Sequence, residues 1–365
     1  MMSYDRSGTT TALVLAVAVL VSCSSRALDS DAIPAPKQKI ELVEELRLGV
    51  SEDVFFKRLG SVSVSESGEI FVTDWGEVTV YAFAPDGSYR GRLGGRGAGP
   101  GEYQLALASS ARGDSVLVYT TSGVSVFHSP SLVHRRDYRW PDNVRSGRGM
   151  PTSTSQSSLF LRYAGAETGR QSIVGSVGIQ GRDLVVRELF GVEDQFEIES
   201  VRPLRIGGQA ATVDYSKPSW CVVGPSQFYC ANTGKLSFLE LSLDGKELSW
   251  IHVAHTPTPF DRDDRRHYVD RFSGTVFEDI LEFPTTWRAF NELAIEGDDI
   301  LWVTLFTDRD ATQTTLWRVD LRQRTTQEGH VDGEFELEAV MGNRLYGIVT
   351  DSVGVNTVVV LKRLT

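Results

Sequence analysis

Beyond residue 48 one phrase recurs six times: a turn, a short β-branched or aromatic run, a polar break, and a second run often closed by Asp-Gly. The clearest copy is Gly68 to Asp74 (GEIFVTD), followed by Val78 to Phe83 and Asp86-Gly87. Others begin at Gly113 (SVLVY, then GVSVF), Ser157 (LFLRY, then SIVGSV), Ser226 (QFYC, then FLELSLDG), Asp298 (ILWV, then LWRVDL) and Gly342 (RLY, then TVVVLKRL). Alternating apolar residues flanked by turn residues encode strand, turn and strand. With Ile70, Val116, Leu159, Phe228, Ile300 and Leu345 as equivalent marks, the spacings are 46, 43, 69, 72 and 45. Three approach the length of a four-stranded propeller blade, and the two long ones hold a blade plus an insertion. A lone hairpin buries no core, so the units must pack on one another.

The expectation is an all-β chain: a six-bladed β-propeller of four-stranded antiparallel blades over residues 40–365. Ile40 to Leu48 (IELVEELRL) is placed to pair with the C-terminal sheet and close the ring. A sandwich or two smaller β domains is the competing arrangement, and the lack of linker composition between residues 48 and 365 counts against it. A short helical insertion is expected at about 261–283, between blades 4 and 5, where Val269, Phe272, Val276, Ile280 and Leu281 fall at near-helical spacing. Gly274 interrupts that pattern and Pro284 stops it.

The N-terminus carries an export signal. Ala12 to Val21 is an apolar run that suits a secretory signal and is too short to span a bilayer. It leads into Leu20-Val21-Ser22-Cys23, which resembles a bacterial lipobox, implying cleavage after residue 22 and lipidation of Cys23. An ordinary signal peptide cut near Ser25 and an uncleaved anchor are the alternatives. Several acyl chains anchor stably where one does not, at roughly 0.8 kcal/mol per buried CH₂. Residues 23–39, with Pro34 and Pro36, read as the lipidated cysteine and a flexible tether. Ser24, rather than Asp, favours transfer to the outer membrane.

With Cys23 lipidated, Cys221 and Cys230 remain, flanking a hairpin that turns at Pro225-Ser226. A symmetric register sets them opposite each other, and export permits a disulfide there. Two buried free thiols are the alternative.

Gly68 to Asp74, Val78 to Gly87 and Gly94-Gly95-Arg96-Gly97-Ala98-Gly99-Pro100-Gly101-Glu102-Tyr103 together resemble the first blade of bacterial six-bladed propeller lipoproteins related to NHL-repeat and TolB-like propellers. The LWVT…LWRVDL phrase and the closing GNRLYGIVTDSVGVNTVVVLKRL are similar also. The resemblance implies a fold; it implies little chemistry.

The net charge of −11 argues against nucleic-acid partners. The glycine-rich turn lacks the Lys-Ser or Lys-Thr of a phosphate loop and reads as a tight inter-blade turn. His252 and His255 are three apart in a strand and point to opposite faces. Asp261, Asp263 and Asp264 lack the Gly and Glu of a Ca²⁺ loop and suit a helix N-terminus. No catalytic, metal or cofactor residues are assigned.

One cluster remains. Arg90, Arg92, Arg96, Arg139, Arg145 and Arg148 lie in two loops against only Glu102 and Asp142, whereas the insertion sets four Arg against seven Asp or Glu. Arg96, Arg139, Arg145, Arg148, Arg266 and His267 are the candidate ligand rim, suited to an anionic ligand, a glycan or the acidic face of a protein. Solvated loops with internal ion pairs are the bland alternative. The functional expectation is an extracytoplasmic, membrane-tethered binding or scaffolding module. A hydrolase or lyase at the central channel and a structural member of an envelope complex are the alternatives.

Overall fold

The computed structural model describes residues 31–364 apart from 50–53, 142–149, 155–158, 164–172, 181–182, 192–203, 207–208, 212–218, 277, 279–280, 282, 307–310 and 352. It is a β-propeller of small antiparallel meanders. The first is β3 (Leu59–Val64), β4 (Ile70–Asp74), β5 (Thr79–Phe83) and β6 (Tyr89–Leu93). The second, β9 (Ala106–Arg112) to β12 (Val133–Arg139), and the third, β13 (Met150–Thr154) to β16 (Asp183–Gly191), join into one eight-stranded sheet. Next come β19 (Ser219–Val223) to β22 (Glu247–His252), then β23 (Phe290–Glu296) to β26 (Thr325–Asp332). The last meander, β27 (Glu334–Met341), β28 (Arg344–Thr350) and β29 (Asn356–Arg363), takes β2 (Leu42–Leu48) as its fourth strand.

Hydrogen bonding therefore gives five large sheets where six separate ones were expected. The second and third meanders are joined by a single parallel pairing of their outer strands, Arg139 with Asp183. The six marks, Ile70, Val116, Leu159, Phe228, Ile300 and Leu345, all fall on the second strand of a meander.

The first strands touch in cyclic order: β3, β9, β13, β19, β23, β27 and β3 again. Neighbouring residues of a strand consequently enter different inter-sheet cores. Ile70 and Val72 pack with Tyr346 and Val358 on one side. Phe71 packs with Val116, Val118 and Phe127 on the other. Burial on both faces explains why IFVTD and TVYAF are buried at every position. Fully burying one such apolar side chain stabilises by about 1.5–3 kcal/mol.

Ring closure is antiparallel pairing of Leu42–Leu48 with Asn356–Arg363. Within the tether expected over residues 23–39, the described residues 31–39 are docked on the ring. Ile33 is fully buried and bridges Val253, and Gln38–Lys39 pairs in parallel with Gln327 and Glu328. Outer strands present unpaired backbone groups, and residues 31–39 satisfy some of them. Pro34 and Pro36 sit between the two pairing points, where no N–H is needed.

Cys221 and Cys230 are directly paired in the register, buried, and joined by a disulfide. Helix α1 (Arg262–Phe272) lies in the connection between His252 and Phe290. Asp261 caps it, accepting from the backbone N–H groups of Asp263 and Asp264 at 2.8 and 2.9 Å, while Asp264 accepts from the Asp261 N–H at 3.0 Å. The helix ends before Gly274, which adopts φ +72°.

Candidate functional site

In a four-stranded meander, the link to the next sheet leaves from the same end as the turn between the second and third strands. One face of the ring thus collects the connections 94–105 and 253–289 together with the C-terminal end of β12. That placement sets Arg96, Arg139, Arg266 and His267 on a common face. Arg145 and Arg148 lie outside the described residues, as does Cys23.

Internal contacts absorb part of the expected positive charge. Arg90 is ion-paired with Glu69 and donates to the Pro130 carbonyl at 2.6 Å. Arg92 lies 4.9 Å over the Tyr81 ring and 4.0 Å from Glu77. Arg266 pairs with Asp263 at 3.0 Å, and His267 meets the Tyr268 ring edge-on. Arg96 and Arg139 are exposed, Arg96 in a two-residue parallel ribbon with Glu102–Tyr103.

The glycine-rich turn is shaped around Glu102. The Gly99 N–H donates to the Glu102 carboxylate at 2.8 Å, and a Cβ on Gly97 would come within 2.0 Å of the same oxygen. Gly94 and Gly101 adopt φ +63° and +73°. A side-chain carboxylate occupies the place an anion would take in a phosphate-binding loop.

Connection 253–289 is rigidified by an aromatic core of its own. Phe260, Tyr268, Phe272 and Trp287 are buried together, with Trp287 4.6 Å from the Phe306 ring. Asp264, buried at the base of α1, accepts from the Trp287 indole at 2.9 Å. One carboxylate thereby links the helix cap to the aromatic core.

The inner strands carry a feature that sequence reading missed. Glu292 on β23 and Glu336 and Glu338 on β27 form an acidic group on adjacent inner strands. Glu292 bonds to the Thr304 hydroxyl, and Glu338 accepts from the Val62 N–H of β3 at 3.1 Å. Glu292 and Glu338 are half-buried, whereas Glu336 is exposed. Desolvation, with a smaller contribution from Glu336 and Glu338, pushes Glu292 up to about 8, although the Thr304 hydroxyl and then Arg288 oppose it. Desolvation likewise pushes Glu338 up to about 7 and raises Glu336. Glu338 is the extra residue of a β-bulge between Leu337 and Ala339.

Beside this acidic group, around β3 and β9, hydroxyls dominate. Ser61 bonds to Thr73 at 3.2 Å, and Ser109 bonds to Ser63 at 3.0 Å and to Thr73 at 3.3 Å. Such a lining sets the raised Glu292 carboxyl near hydroxyls, and protonated carboxyls and hydroxyls both donate and accept hydrogen bonds. Among the described residues no group of three or more His, Cys, Asp or Glu is arranged to hold a metal ion. His252 bonds to Ser237 at 2.9 Å, while His255 lies against the Trp317 ring, where burial lowers its pKa.

On the far face, a groove of about 340 Å³ is lined by Glu45, Asn343, Arg344, Tyr346 and Lys362. Glu45 and Arg344 pair within it at 2.6 Å, and that hydrogen bond lowers the Glu45 pKa. The groove neutralises its own charge.

Residues 31–108 match a family described as a 6-bladed beta-propeller. No curated protein matches the sequence. Among solved structures, a Bacteroides fragilis protein described as exported has 10% identity and a TM-score of 0.56, covering 92% of this chain and 100% of its own. A DUF4221-family protein of Bacteroides vulgatus has 12% identity and a TM-score of 0.50, covering 90% and 99%. At such identities the likeness is one of fold. The chain is a β-propeller, and its residues 31–108 are similar to the family described as a 6-bladed beta-propeller.

Proposed function

We propose that this protein is an exported, lipid-anchored six-bladed propeller that serves as a binding or scaffolding module in the cell envelope. The count of six rests on dividing the eight-stranded sheet into two four-stranded meanders, in keeping with the cycle of six first strands and the family match. The insertion carrying α1 then lies between blades 4 and 5. The anchor is Cys23 and the compartment the outer membrane.

The observation carrying the binding reading is the gathering of the long connections on one face of a closed ring, with connection 253–289 held by its own aromatic core. Such a face is rigid, so binding there costs little ordering entropy. The proposed ligand is anionic, a glycan or the acidic face of a protein, met by Arg96 and Arg139 with Arg145 and Arg148. Binding of mature protein to carboxylated and sulfated glycans and to acidic peptides tests this reading. Replacing both Arg96 and Arg139 with Glu is expected to weaken binding at least tenfold without changing the melting temperature. Unchanged affinity would remove the rim from the account.

A second reading draws on the recessed carboxyls. Glu292, protonated at neutral pH, suits a general acid in a hydrolase or lyase working at the central channel. Turnover of any member of the same panel, lost in Glu292→Gln and falling above about pH 8, would favour it over the binding reading.

A further inference from the structure

The path of the N-terminal segment singles out one outer edge of the ring. Asp31 is held by Arg324, and the Ile33 N–H donates to the His252 carbonyl at 2.8 Å on the outermost strand β22. The Ala254 N–H returns a bond to the Ile33 carbonyl at 2.8 Å. The described part of the chain therefore begins beside β22. Only eight residue steps separate Cys23 from Asp31, about 29 Å even at full extension. If the acyl chains are on Cys23, a lipid surface lies within that distance of this edge.

The strand at this position exposes unusual side chains. Leu248 is 51% exposed and Trp250 42% exposed. Leu248 is the extra residue of a β-bulge in this strand, and Trp250 stacks on His252 with ring planes 5° apart. His252 is the residue whose carbonyl holds Ile33, so the exposed pair adjoins the point where the anchor segment arrives. Ser249, on the other face of the strand, bonds to Glu240. Tryptophan is enriched at the membrane–water interface, where its apolar ring and polar N–H are both accommodated. An adjacent leucine adds apolar surface.

We infer that the outer strand Glu247–His252 faces the phospholipid surface that carries the anchor, with Leu248 and Trp250 entering its head-group region. This inference rests on the lipid anchor of Cys23. It orients the molecule with its ring axis nearer parallel than perpendicular to the membrane, leaving both loop faces accessible from the side.

The test uses acylated protein purified from membranes and reconstituted into phosphatidylethanolamine and phosphatidylglycerol vesicles containing doxyl-labelled lipid. Cys23 would be acylated and Cys221 disulfide-bonded to Cys230, so one added cysteine is the single free thiol for an environment-sensitive fluorophore. Leu248→Cys is compared with Val133→Cys on β12, where Val133 is 59% exposed. The inference predicts at least threefold stronger quenching at 248 than at 133, and loss of that difference when Trp250→Glu is added. Mass spectrometry of the N-terminal peptide reads the anchor independently. Acylated Cys23 with equal quenching at the two positions would overturn the orientation and leave the anchor standing. A Cys23 without acyl chains would bring down both.

Discussion

Asp74 is fully buried, and its two oxygens accept from the N–H groups of Lys57, Arg58, Gly76 and Glu77 at 2.8, 3.1, 2.8 and 3.1 Å. It closes the GEIFVTD phrase by fastening the incoming connection to the turn after β4. Asp74→Ala removes the acceptor from four part-buried donors and is expected to cost about 1–3 kcal/mol, read by urea denaturation. Glu292 is a carboxyl in the opposite situation. Its folded pKa, about 8, exceeds the ordinary 4.5, so the folded state holds a proton that the unfolded chain releases between those values. The stability this gives is present below pH 4.5 and is lost as pH rises through about 8. Glu292→Gln should change stability little at pH 5 and raise it at pH 8.5 by up to about 5 kcal/mol, at roughly 1.4 kcal/mol for each unit between 4.5 and 8. An unchanged pH profile would show that the carboxyl is hydrated. Asp74 stood out in sequence because it ends a recognisable phrase. The inner carboxyls did not, since FELEAV and FNELAIE look like solvated strand faces; their recession depends on which strands line the ring, and that of Glu338 on a bulge.

Among the elements, β19 and β20 (Gln227–Asn232) are joined by the disulfide across nine residues of sequence. Closing so short a loop is worth about 2–3 kcal/mol. Cys221→Ser with Cys230→Ser should lower stability by that amount, and reductant should reproduce the loss in the parent protein but leave the double variant unaffected. The hairpin was legible from its Pro-Ser turn and symmetric apolar flanks, whereas disulfide and free thiols shared one spacing. Helix α1 was legible at its start, where Asp261 and Asp264 make a capping box. Its aromatic bed was not, because Phe260, Trp287 and Phe306 come together from three separated segments.

At the scale of the molecule, the recurring phrase carried the architecture because both faces of each strand are buried, and that leaves apolar runs a reader can count. The join between the second and third meanders depends on one contact of outer strands far apart in sequence, which no local pattern records. Residues 31–39 read as a tether because of their prolines, yet Ile33 is buried in the core between the sheet of β19–β22 and that of β23–β26. Deleting residues 31–48 removes that strap and the closing strand, exposing the edge of Asn356–Arg363. The shortened protein is expected to lose its single cooperative melting transition and to aggregate on warming. The central claim is a closed ring of six sheets with the N-terminal strand completing the last. A crystal structure of residues 24–365 tests it most directly: the account predicts six four-stranded sheets about one axis, with Leu42–Leu48 beside Asn356–Arg363. A different number of sheets, or two separate cores, would contradict it.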